Sequence, residues 1–164
     1  MKIFSKTILS LQIAALFLGA GLPSANAADH PTPFKGAYSA HETYVFDLQS
    51  VPPTRTVDGS GSGHATHLGR FTLTYDHLVD LSRRAGVGTA HFIAANGDSL
   101  FTEITSQAGP TDLPGMVRVI EEYTIVEGTG RFAGATGSFT IDRLVDTATG
   151  ITSGSFEGTI VTGK

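Results

Sequence analysis

Residues Met116 to Val145, MVRVIEEYTIVEGTGRFAGATGSFTIDRLV, read as two strands joined by a glycine-rich connection. Over Met116 to Glu127 the residue types alternate so that Val117, Val119, Glu121, Tyr123 and Ile125 share one face, because successive side chains of an extended chain point to opposite sides. The second strand, about Ser138 to Val145, places Phe139, Ile141 and Arg143 together. Between them, Glu127 to Phe139 carries glycines at 128, 130, 134 and 137. Neither a Gly-Lys-Ser/Thr triplet nor a helical pattern follows, which argues against a phosphate-binding loop. The glycines instead supply positive φ for a strand-to-strand connection, with Phe132 placed to plug the end of a barrel.

Working outward, the period of two recurs. Tyr38, Ala40, Glu42, Tyr44, Phe46 and Leu48 form one face of a first strand, and His67, Gly69, Phe71, Leu73 and Tyr75 one face of a second, about His64 to Tyr75. Between these two strands, Pro52-Pro53 and the run Asp58-Gly-Ser-Gly-Ser-Gly63 predict a mobile loop. Asp76 to Arg84 (DHLVDLSRR) alone has helical spacing, over a length that suits a single turn or an irregular crossing. Gly86 to Ala95 and Leu100 to Gln107 predict two strands paired through Asn96-Gly97-Asp98, since Asn-Gly favours a type I′ turn. Pro110 to Gly115 predicts a loop, Asp146 to Gly150 a turn, and Thr152 to Val161 the last strand.

Seven strands and scarcely a helix predict an all-β, antiparallel barrel or sandwich. Closure is favoured, because only Thr162 to Lys164 follow the last strand and could not cover a free edge. Gly69, Gly154 and Gly158 lie inside strand patterns, where glycine marks bulges and bends.

The composition narrows the chemistry. The 164 residues include 20 glycines but no cysteine, which removes disulfides, thiolate nucleophiles, Fe–S clusters and cysteine-bearing zinc sites. Lys2 and Lys6, the apolar stretch Ile8 to Leu22 and Ala25-Asn26-Ala27 fit a secretory signal cleaved after Ala27. Cleavage leaves 137 residues with nine basic and 15 acidic groups, a formal charge of −6. That excess repels nucleic acid and anionic lipid, so the expectation is an exported protein, periplasmic or extracellular, with neither nucleic acid nor, after cleavage, a membrane as partner. Residues 28–35, with Pro31 and Pro33, are expected to be an extended lead-in to a single domain over 36–164.

Beyond the glycine connection, Thr66-His67-Leu68-Gly69-Arg70-Phe71, Ala94-Ala95-Asn96-Gly97-Asp98 and Phe156-Glu157-Gly158-Thr159-Ile160 add to a pattern over roughly residues 36 to 161. Together with Gly128 to Gly137, this pattern resembles the signature shared by allene oxide cyclases, dirigent proteins and their bacterial, signal-bearing relatives. The resemblance implies an eight-stranded antiparallel barrel of calycin type, trimeric in many plant relatives, with the eighth strand arising by division of the long first or second element. It also implies either cyclisation of an unstable substrate in an apolar barrel or the steering of phenolic coupling. The plant cyclases have a pocket cysteine that this chain lacks, so no catalytic residue carries over.

The candidate site residues follow from face and chemistry. Glu103, between Phe101 and Thr105 on its strand, is either solvated on an outer face or a carboxyl group in an apolar pocket able to act as general acid or base. Glu121 and Tyr123 lie on a face that looks like core, where a carboxyl group needs a partner, and Arg143 is the plausible one. Tyr44, Phe71, Phe92 and Arg143 are candidates to line a ligand cavity, and Glu42 shares the aromatic face of Tyr38, Tyr44 and Phe46. His64 and His67 form a His-x-x-His pair, but residues three apart on a strand face opposite ways, so no metal site is expected, and no cofactor either. Without a Gly-x-Ser-x-Gly elbow, hydrolysis by a serine triad has no anchor. Two functions remain open: a barrel that binds a small apolar or phenolic molecule, and an isomerase or cyclase that acts by holding its substrate in a reactive shape away from water.

Overall fold

The structure, a computed structural model, describes residues 30–163. The predicted export signal lies outside the described residues. The chain forms eight antiparallel strands: β1 Thr32–Asp47, β2 Thr54–Ala65, β3 Gly69–Asp80, β4 Ala85–Ala94, β5 Ser99–Gly109, β6 Met116–Gly128, β7 Thr136–Asp146 and β8 Ile151–Val161. Each pairs with the next, and β1 pairs with β8 from Thr32↔Ile160 to His41↔Ile151, so the sheet closes into a barrel without a free edge. β1 serves two neighbours by being long: its first part pairs with β8 and its later part, from Gly36 to Asp47, with β2. The lead-in expected over 28–35 is therefore too long, because Thr32 to Lys35 already belong to β1.

The eighth strand comes from the segment read as a loop. The run Asp58 to Gly63 lies inside β2, between Tyr38 to Thr43 of β1 and Phe71 to Asp76 of β3. Its glycines answer large neighbours, for a methyl group at Gly59 would overlap the Tyr75 ring, and one at Gly63 would meet Phe71 and Tyr38. Ser60 and Ser62 face out. The boundary of the next strand shifts accordingly: Thr66 to Leu68 form a turn, with His67 at φ 64°, and β3 begins at Gly69. Asp76 to Asp80 continue β3, with His77 and Val79 inward, and only Leu81 to Arg84 form a turn. The helical spacing of DHLVDLSRR thus yields to a period of two that runs unbroken from Phe71 to Val79.

The β4–β5 hairpin pairs as expected, but its turn is not type I′, because only Gly97, at φ 90°, takes the left-handed conformation. Gly97 N–H donates to the Ala94 carbonyl at 2.9 Å and Ala94 N–H to that of Asp98 at 2.8 Å, the three-residue pattern with glycine at the bulge. The Glu127–Phe139 connection behaves as expected: Gly130 and Gly134 adopt φ of 56° and 72°, and Phe132, in a short 3-10 turn, is buried against the barrel end.

The two barrel ends differ. We call base the end holding the turns after β2, β4 and β6, and mouth the end holding those after β1, β3, β5 and β7. Phe34, Phe71, Phe92, Phe139 and Phe156 fill the lower interior, with centroid separations such as 5.0 Å for Phe34–Phe139 and 5.5 Å for Phe71–Phe92. Leu100, Ile125 and Ile160 close the gaps between them. Burial of an aromatic ring at this density contributes about 1.5–3 kcal/mol each.

Candidate functional site

Above the aromatic base the interior becomes polar. Glu42 on β1, His77 on β3, Glu121 on β6 and Arg143 on β7 all point inward and are buried. Closure of the barrel brings them together: Arg143 Nη1 donates to Glu42 Oε1 at 2.6 Å and Nη2 to Glu121 Oε1 at 2.8 Å. One guanidinium therefore bridges two carboxyl groups. Gly154, beside Arg143 on β8, makes room for it, since a methyl group there would press on the Arg143 Cβ.

Tyrosines complete the network. Tyr75 donates to Glu42 Oε1 and Tyr44 to Glu42 Oε2, both at 2.8 Å, and Tyr123 donates to Glu121 Oε2 at 3.1 Å. Thr152 accepts from Arg143 Nη1 at 3.2 Å and donates to the Leu144 carbonyl at 2.8 Å. Tyr123 also stacks on Phe139 at 4.9 Å, so it joins the polar layer to the aromatic base. Such a layer is stable only when its members satisfy one another, because removing one leaves buried charge unpaired.

Burial, helped by nearby carboxyl groups, pushes the hydroxyls of Tyr38, Tyr44, Tyr75 and Tyr123 above the ordinary tyrosine range, which keeps them protonated; Tyr44, Tyr75 and Tyr123 donate, while the Tyr38 hydroxyl has no partner. Burial works against the Arg143 charge, but Glu121, Tyr38 and Glu42 outweigh it and hold the group above the usual arginine value. His77 goes the other way: burial depresses its pKa below 6.5 and prevails over the attraction of Glu121, whose Oε1 is 3.6 Å from Nε2. At neutral pH the imidazole is uncharged.

The mouth holds an open pocket of about 560 Å³, whose lining includes Arg55, Val79, Leu81, Arg84, Met116 and Val117. Val79 lies two residues beyond His77 on the same face of β3, and Val117 four beyond Glu121 on that of β6 with the buried Val119 between, so the pocket lies on the mouth side of the polar layer. The Arg55 guanidinium sits over the Tyr44 ring at 4.8 Å, and its buried Nε makes no hydrogen bond. Through Tyr44 the pocket wall is linked to Glu42.

The candidates read from the sequence do not all lie together. Glu121, Tyr123 and Arg143 meet inside, as the Glu121–Arg143 pairing anticipates. Tyr44, half-buried, does not line the pocket but stacks under its wall residue Arg55. Phe71 and Phe92 belong to the aromatic base, away from the pocket, so they are not grouped with Tyr44 and Arg143. Glu103 is exposed on the outer face of β5, opposite Thr89 and Thr124, and this settles its two readings in favour of solvation. His64 and His67 are exposed near the base, and no metal-binding cluster occurs among the described residues.

His77 was hidden by the helical reading of its segment, although its alternation with Leu73, Tyr75 and Val79 points to it. Glu42 stood on the right face, but its partner Arg143 is 101 residues away and only closure joins them.

The fold and site thus define a closed eight-stranded barrel with an aromatic base, a buried charged layer and an open apolar mouth. Compared with known protein families, curated proteins and solved structures, the chain gives no match.

Proposed function

We propose that the protein binds a small apolar or phenolic molecule in the barrel mouth. The observation that carries this reading is the pocket of about 560 Å³, apolar along Val79, Leu81, Met116 and Val117 but edged by the Arg55 side chain. Apolar walls with a few placed polar groups are what small-molecule sites share. A ligand hydroxyl would accept from Arg55 while its body displaces water from the walls. The resemblance of residues 66–71, 127–139 and 156–160 to allene oxide cyclase and dirigent barrels supports the same reading.

A templating cyclase or isomerase is less well supported. Its acid or base would have to reach the ligand, and neither Glu42 nor Glu121 lines the pocket. Native mass spectrometry of the protein recovered from its source tests the binding reading. The expected result is a retained small molecule in the wild type, lost in Leu81→Asp; empty protein across several growth conditions would contradict it.

A further inference from the structure

Most of the large apolar side chains exposed among the described residues lie toward the mouth. Val45, Phe46 and Leu48 are on or just after the end of β1, Val51 is in the β1–β2 turn, Leu78 and Val87 are near the adjoining ends of β3 and β4, Leu113 is in the β5–β6 turn and Ile151 begins β8. Val51 is 98% exposed and Leu48 63%. Across the strands Val45, Thr56, Leu78 and Val87 form one outward row just below the rim. Exposed apolar side chains scattered singly need no explanation, whereas a cluster at one end does.

We propose that the mouth end docks on the surface of a zwitterionic phospholipid layer. The distribution selects this partner, because the apolar residues surround the opening on β1, β3, β4, β8 and two turns rather than lining one groove. The β1–β2 hairpin runs past the start of β8, whose Ile151 pairs with His41, so that Leu48 and Val51 in its turn protrude and, with Leu113, fit a surface they can enter. The rim's charge is mixed, with exposed Arg83 and Arg84 alongside Asp47, Asp80, Asp112 and Asp146. This matches a headgroup layer carrying both signs, and the acidic excess of the whole chain excludes an anionic surface as the preferred one. Shallow apolar insertion of this kind scales with the area immersed. The dock is independent of the ligand reading, since it needs no occupant in the pocket.

Co-sedimentation of the folded protein with phosphatidylcholine vesicles tests it, with no ligand added. The wild type is expected to sediment with the vesicles, and Leu48→Asp combined with Val51→Asp to bind more than about tenfold more weakly. Val126→Asp, which changes an exposed apolar residue toward the base, should bind like the wild type. Circular dichroism confirms that each variant is folded. Failure of the wild type to sediment, equal loss in Val126→Asp, or a mouth variant that abolishes a dimer in the ultracentrifuge while leaving vesicle binding intact would each overturn the proposal.

Discussion

The lower and upper halves of the barrel are built from the same eight strands by opposite means. Below, five phenylalanines pack ring against ring with no buried charge among them, and the one inward hydroxyl on β5, Thr102, bonds to the Ala90 carbonyl, so the half holds together chiefly by apolar burial. Above, the same inward positions carry Glu42, His77, Glu121 and Arg143, which gain nothing from burial except through each other. The difference teaches where the protein keeps its options. A purely apolar filling of the upper half would be simpler and at least as stable. Retaining a charged layer beneath an open pocket makes sense if that layer positions the pocket's polar edge, and the chain Arg143, Glu42, Tyr44, Arg55 does so.

Breaking the layer should give the largest effect. Arg143→Met leaves two buried carboxyl groups without their guanidinium and is expected to destabilise the fold by about 3–5 kcal/mol. Adding Glu42→Gln and Glu121→Gln should recover much of that loss in urea unfolding. Phe92→Ala in the base also costs about 3–5 kcal/mol, but the two glutamine changes should not rescue it, because the base has no charge to relieve.

A smaller effect tests the boundary between the halves. Gly59→Ala forces a methyl group into the space of the Tyr75 ring and should cost about 1–3 kcal/mol. In a Tyr75→Ala background the same change should cost clearly less, a coupling measurable by a double-mutant cycle.

The smallest concerns pH. Folded His77 takes its proton at lower pH than the unfolded chain, whose value is near 6.5, so between the two values the unfolded state binds more protons. Stability present above pH 6.5 should therefore decline as pH falls through that window. His77→Asn should flatten the decline there, and leave the further loss below pH 3.8 that comes from Asp80, Asp142 and Asp146, whose carboxyl groups are held below that value. Urea midpoints measured between pH 7 and pH 3 separate the two windows.

Most of the barrel was legible because alternation is local. Strands β4 to β8 and the plug at Phe132 follow from side chains within a few residues of one another. β2 was not legible for the same reason reversed: Gly59 and Gly63 make sense only beside Tyr75 and Phe71, and their own segment carries the composition of a loop. The polar layer shows the same split. Glu121 and Arg143 lie on strands that are neighbours in sequence and could be paired from their faces alone. Glu42 reaches Arg143 only across the β1–β8 seam side of the barrel, and His77 needed the continuation of β3 through a segment with helical spacing. Glu103 had two readings because a single strand does not say which of its faces is outside.

The central claim is that ligand meets the upper half and not the lower. NMR shift mapping with a series of alkylphenols tests it most directly. Changes are expected to be confined to Arg55, Val79, Leu81, Met116 and Val117, with Tyr44 following and Phe71 and Phe92 unmoved; shifts centred on Phe71 and Phe92, or none at saturating phenol, would contradict binding at the mouth.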